Sequence, residues 1–222
     1  MNAKFHKTAP IIALNNMPES FQTYMITNTY TKEQLGIDAD IPDMVDKDNI
    51  TQDAEIHHAH SYKLDKVDGK VKWIDGDCLE RLKGICSDAH DFHAEKKDDM
   101  LRYSLAKMTH YIVDGSGCTY PHNHRGKPWS IHHIAFEDDL GNFIIKHQDE
   151  LMKEKFEFKP VKDIYKYCRQ GAVDMYDEGM AVVANFENKV DMTDEQKIEL
   201  CKKAIQRIGD IWTTLGMEFK II

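Results

Sequence analysis

The chain has no CxxC pair. Its five cysteines, Cys78, Cys86, Cys118, Cys168 and Cys201, are widely spaced, which argues against a thiolate zinc site. An odd, scattered set fits buried free thiols, or one or two disulfides with a spare. No apolar run approaches the ~20 residues that span a bilayer; the longest, such as Ala181-Val182-Val183-Ala184, are short. There is no excess of positive charge. Lys and Arg number 29 against 38 Asp and Glu, a formal net charge of −9, which argues against duplex nucleic-acid binding driven by counterion release. A nuclease stays open, because bound metals change the local field. The start of the sequence, Met1-Asn2-Ala3-Lys4-Phe5-His6, carries no secretory signal pattern, so the protein is expected to be intracellular or already stripped of a signal. No strand pattern persists, and no internal repeat or low-complexity tract is present.

What the chain has is histidine: 12 in 222 residues, with His110, His122, His124, His132 and His133 crowded together. A hydrophobic content of 41% and a charged content of 30% suit a soluble globular protein. The length allows one sizeable core and one domain over 1–222.

Helical periodicity dominates. Residues 17–30 read as a short helix opened by Pro18, and 35–43 as a loop. Residues 44–76 show no clear period and a turn at Val67-Asp68-Gly69-Lys70, and 77–86 read as a helix. The best pattern covers 98–114, where Leu101, Leu105, Met108 and Ile112 form one apolar stripe and His110 and Asp114 fall on the opposite side. That helix should lie between the core and something polar. A loop at 115–129 precedes helices expected at about 130–153, 161–187 and 193–215. The last opens with a Thr193-x-x-Gln196 capping box and should stop at Gly216.

Two pairs place metal-binding groups one helical turn apart: His110-x-x-x-Asp114 and His133-x-x-x-Glu137. Between them lie His122 and His124 on a Pro-stiffened loop; upstream, Glu55-Ile56-His57-His58-Ala59-His60-Ser61-Tyr62 holds three histidines in four residues. His132 points away from its neighbour and reads as a supporting or surface residue. The acidic stretch Asp38, Asp40, Asp43 reads as a solvated loop. Each helical pair alone is more often a surface pair than a site; it is their number and order that points to metal. Imidazole and carboxylate without cysteine suit a hydrolytic zinc site, where a position stays open for water.

The stretch His110-Tyr111-Ile112-Val113-Asp114, Pro121-His122-Asn123, His133-Ile134-Ala135-Phe136-Glu137 resembles the signature of the zinc-dependent phospholipase C / P1 nuclease superfamily. His60-Ser61-Tyr62, the loop 36–43 ending in Pro42-Asp43, and His6 ahead of Met17-Pro18-Glu19 are similar to its upstream segments, so the likeness runs over roughly 5–140. The resemblance implies an all-α, single-domain multi-helix bundle with two or three Zn²⁺ ions. It implies one ion among Asp43, His60, His110 and Asp114, a second on His122, His133 and Glu137, and a third on His6 and a bridging Asp114. Residue 1 is Met where the family's mature chain begins with Trp, and the loop after Asp114 is longer than usual. His124 rivals His122, His58 rivals His60, and Asp40 rivals Asp43.

The implied activity is phosphodiester cleavage by a zinc-bound hydroxide, with Asp43 orienting or deprotonating the attacking water and Asp114 serving two ions. The substrate is expected to be a phospholipid, since the Pro-Asp and His60 segments lean to the phospholipase C branch; a nucleotide or single-stranded nucleic acid is the alternative. Tyr62, Trp73, Tyr111, Tyr120, Trp129 and Phe136 are candidate cleft residues for either. A third reading is a non-catalytic metal-binding protein. The family's setting implies a secreted or periplasmic location.

Overall fold

The computed structural model describes residues 4–48, 63–115, 127–177 and 191–222, and within these the side-chain surroundings of all but 43–48, 63, 75, 127–135 and 137. The protein is a single compact, mostly helical body, 72% helix, with a two-stranded hairpin. The described residues form nine helices: α1 (Lys4–Asn16), α2 (Glu19–Met25), α3 (Lys32–Asp48), α4 (Cys78–Ala94), α5 (Asp98–Gly115), α6 (Lys127–Lys146), α7 (Gln148–Leu151), α8 (Ile164–Asp174) and α9 (Asp194–Glu218). The hairpin, β1 (Lys63–Val67) and β2 (Lys70–Asp75), falls between α3 and α4. No helix among the described residues is long and apolar enough to cross a membrane.

α1 is the middle of the packing. It lies against α3, α6 and α9, while α5 lies against α4 and α3. Phe5, Ala9, Ile12 and Ala13 are buried on α1, a spacing of one helical face. Pro10 inside this helix removes an N–H from its ladder, and only the family resemblance, whose first helix carries a single His, points to a helix here. Burial on several sides overrides that local penalty.

α5 matches its expected limits, and its stripe of Leu101, Leu105, Met108 and Ile112 is fully buried. From Met108 to Gly115 every residue of α5 is buried, so the face with His110 and Asp114 is enclosed as well. Across the core, Trp212 of α9 donates its indole N–H to the Leu105 carbonyl at 2.9 Å and packs on Phe21 of α2, ring centroids 5.7 Å apart.

Three expectations need correction. The stretch 35–43, read as a loop because of Gly36 and Pro42, lies inside α3. Thr31 caps this helix, accepting from the Gln34 N–H at 3.2 Å, and the Thr31-x-x-Gln34 signal was available. Gly36 is there for close approach: a Cβ would come 3.3 Å from the Lys7 carbonyl oxygen on α1. The second correction is the hairpin. Its turn is at the expected place, with Asp68 at φ 53° and Gly69 at φ 74°, the left-handed pair that a two-residue hairpin turn demands. Leu64 faces Trp73 across the strands, and Leu64 packs with Ala172 of α8.

The third concerns helix ends. α4 runs to Ala94 because Leu79, Leu82, Ile85 and Ala89 extend one buried stripe. α6 ends at Lys146 and a short α7 follows. α8 starts at Ile164, where Asp163 accepts from the Lys166 N–H at 2.9 Å; the far end expected for this helix lies outside the described residues. The capping box of α9 is present, with Thr193 and Gln196 each bonding the other's backbone N–H. Gly216 does not stop α9, which continues to Glu218. It instead admits Phe21 and Ile222, which a Cβ would meet at 3.0 and 3.1 Å.

Candidate metal centre

α1 and α5 bring His6, His110 and Asp114 together. Their exposures are 4%, 1% and 3%, and one ligand atom from each lies within 4.8 Å of the others. Asp114 presents one oxygen to each ring: Oδ1 lies 3.7 Å from His6 Nε2 and Oδ2 lies 3.2 Å from His110 Nε2. His110 and Asp114 meet because i and i+4 share one helical face. His6 reaches them because α1 is packed into the middle of the body.

α3 supplies the next shell of contacts. His110 Nδ1 is 3.2 Å from the Ala39 carbonyl oxygen. A carbonyl only accepts, so Nδ1 carries the proton and donates. His110 Nε2 then faces the Asp114 carboxylate either as a lone pair or as the second N–H of an imidazolium. A lone pair opposed to a carboxylate oxygen at that distance is repulsive. A cation relieves it, and the cation is either a proton or a metal ion. Two imidazoles and a carboxylate make a nitrogen and oxygen donor set of the kind zinc takes, so this group could hold one metal ion.

The acidic stretch is not a solvated loop. Asp38 is buried and accepts from Tyr30 Oη at 2.7 Å and from Gln34 Nε2 at 2.8 Å. Burial and the bond to Asp38 raise the Tyr30 phenol far above its ordinary value. Asp40 is buried too, and the Lys7 ammonium of α1 stands 3.5 Å from its carboxylate. The sequence names Asp40 only as a rival ligand to Asp43 and gives Asp38 no role; the Thr31 cap is the signal that places both on a helix.

Cys78 opens α4 beside this centre. Its Sγ lies 3.6 Å from the Tyr111 carbonyl. Burial pushes the Cys78 thiol well up, with the Asp114 charge and Cys168 adding to the effect. Cys78, Cys86, Cys168 and Cys201 are free thiols, and none of the four joins the ligand group.

The other expected ligands stand as follows. Asp43 belongs to α3, and His133 and Glu137 to α6, the helix packed on α1, but their side chains lie outside the described residues. His58, His60, His122 and His124 lie wholly outside them. Of the aromatic cleft candidates, Tyr111 and Phe136 are core residues, 6% and 1% exposed. Trp73 is half-buried on the hairpin, its indole N–H directed to the Gly76 carbonyl. Tyr62 and Tyr120, and the side chain of Trp129, fall outside the described residues. No known protein family, characterised protein or solved structure matches the chain.

Proposed function

We propose that the protein is a zinc-dependent phosphoester hydrolase of the phospholipase C / P1 nuclease type, with a phosphodiester as its substrate. The observation that carries this reading is the convergence of His6, His110 and Asp114 from two helices into one buried group. His6 and His110 would supply neutral nitrogen and Asp114 a negative charge. The Ala39 carbonyl fixes the His110 tautomer that leaves Nε2 for the ion. A divalent ion there supplies a Lewis acid and lowers the pKa of bound water to about 7.

On this reading a full centre of two or three ions draws further on Asp43, His60, His122, His133 and Glu137. Asp43 orients the attacking water or takes its proton. A phospholipid is favoured as substrate over a nucleotide or single-stranded nucleic acid by the likeness of the Pro42-Asp43 and His60 segments to the phospholipase C branch.

One observation favours a second reading. All three residues of the group are at least nineteen-twentieths buried, as in a closed structural metal site or a buried ion pair. Turnover separates these readings. The protein, loaded with Zn²⁺, is assayed at neutral pH on bis-p-nitrophenyl phosphate, on phosphatidylcholine micelles and on single-stranded DNA. Hydrolysis that a chelator abolishes, that Zn²⁺ restores and that His110→Ala loses supports a hydrolase, and the preferred substrate assigns the branch. Stoichiometric Zn²⁺ without hydrolysis makes the centre structural. Absence of bound metal makes it an ion pair.

A further inference from the structure

His6 is the third residue of α1 and stands in the turn that this helix secures least. The N–H groups of a first turn have no carbonyl behind them in the helix to bond. Pro10 has no N–H for the carbonyl four residues back, which is that of His6. His110 and Asp114 are placed differently, in a stretch of α5 where every residue from Met108 to Gly115 is buried. Of the three ligand groups, His6 is the one carried by a turn that its own helix holds weakly.

What holds this turn comes from its neighbours. Phe5 anchors it in the core. On its outer side Lys4 and Lys7 share one helical face, three residues apart, and both are half-buried. They reach different helices. Lys4 Nζ donates to Asn142 Oδ1 of α6 at 2.5 Å, and Lys7 Nζ stands 3.5 Å from Asp40 Oδ2 of α3. Both α6 and α3 pack on α1, and Gly36 lets α3 come close at the Lys7 carbonyl. Two cationic side chains, one on each side of His6 in the sequence, thus tie the turn to both flanking helices. Neither lysine belongs to the His6–His110–Asp114 group.

We infer that Lys4 and Lys7 are positioning residues for His6: by pinning the proline-weakened first turn of α1 to α6 and α3 they keep the imidazole beside Asp114, and that turn is the door through which an ion enters and leaves the buried group. Once released, the turn lifts and carries His6 away, while His110 and Asp114 stay in place on α5. The door rests on the function proposed above; the pinning rests only on the chain's own contacts.

The test uses the full chain with Lys4→Met and Lys7→Met, which keep an apolar stem and remove the ammonium. Amide hydrogen exchange followed by NMR reads the turn in metal-free protein at Thr8 and Ala9, whose N–H groups bond back to it four residues earlier. Each variant is expected to lower protection there about 10-fold, the net worth of one hydrogen bond, and to leave Leu105 to Ile112 of α5 unchanged. Zn²⁺ release into excess chelator should quicken about 10-fold, the low end for partners that orient a ligand. Lys4→Arg, which keeps a donor for Asn142, should match the wild type in both. Asn142→Ala, at an exposed position of α6, cuts the same tie from the other side; it should add nothing to Lys4→Met, and it decides the matter if a lysine variant does not fold. Wild-type protection at Thr8 and Ala9, protection lost equally along α5, or an unchanged release rate overturns the inference. A wild type that binds no Zn²⁺ overturns the function proposed above and leaves the exchange data to decide this one.

Discussion

The imidazole of His6 lies on that of His110, ring centroids 3.9 Å apart and planes 19° apart. Stacked this way, the rings do not point at each other. Both direct Nε2 at the same carboxylate, one to each oxygen of Asp114. Two protonated rings at this separation repel each other, whereas one ion near both nitrogens and the carboxylate satisfies all three groups.

Zn²⁺ should therefore stabilise the fold. At 100 times its dissociation constant a ligand adds about 2.7 kcal/mol, worth about 5–10 °C in Tm for a chain of this size. Thermal melts with Zn²⁺ and with a chelator should differ by that amount. His6→Ala and His110→Ala should each erase the difference, since each would remove a ligand of the proposed ion. Equal melting temperatures for the wild type in both conditions would sink the metal centre.

Gly115, next to Asp114, leaves no room for a side chain unless its neighbours shift. A Cβ there would come 2.7 Å from Leu79 Cδ2 and 3.1 Å from Cys78 Sγ. Gly115→Ala should cost about 1–3 kcal/mol, the range for overpacking a tight core. Gly84, inside α4 with nothing within 4 Å of its would-be Cβ, is the control. There alanine should stabilise by about 0.5–1 kcal/mol through helix propensity. Urea midpoints shifting in opposite directions check the pair.

Asp210 of α9 fastens the irregular strap between α7 and α8. Its carboxylate accepts from the Lys159 N–H at 2.7 Å, from Tyr167 Oη at 2.6 Å and from Gln206 Nε2 at 2.8 Å. Asp210→Ala leaves donors without their acceptor and should cost about 1–3 kcal/mol. Brief trypsin digestion should then cut at Lys155 or Lys162 faster than in the wild type. An unchanged digestion pattern would show that the strap is held by its other contacts alone.

Stability should fall in alkali. Burial, with Glu218 nearby, pushes the Cys86 thiol up to about 12, whereas an unfolded cysteine loses its proton near pH ~8.5. Between those values the folded state binds more protons than the unfolded one, so the stability contributed is complete below about 8.5 and is lost as pH rises toward about 12. The buried Cys78 thiol and the Tyr30 phenol shift in the same direction. The urea midpoint should be lower at pH 10 than at pH 7, and Cys86→Ala should reduce the drop. A midpoint that does not fall refutes the assignment.

Helices with a single clean stripe were legible without coordinates. α5 and α9 satisfy local propensity, capping and burial at once, and so their limits were close to those expected. α3 was not legible, and α1 only through the family resemblance. Pro10, Gly36 and Pro42 are local signals against helix, and only packing overrides them: α1 is enclosed by three helices, and Gly36 lets α3 approach its backbone. The hairpin was half legible, because Asp68-Gly69 dictates the turn but strands this short show little alternation.

The sequence by itself determined that His110 and Asp114 share a face, since a spacing of four residues on a helix leaves no other choice. It also determined the capping of α9 and the left-handed turn at Asp68-Gly69, which depend only on neighbouring residues. The resemblance set His6 with Asp114, and the structure has the two side by side; tertiary structure alone decided that the Ala39 carbonyl orients His110, and that Asp38 and Asp40 are buried. These relationships link helices far apart in the chain. Their distances follow from how apolar stripes on α1, α3 and α5 bury one another, which no local pattern encodes.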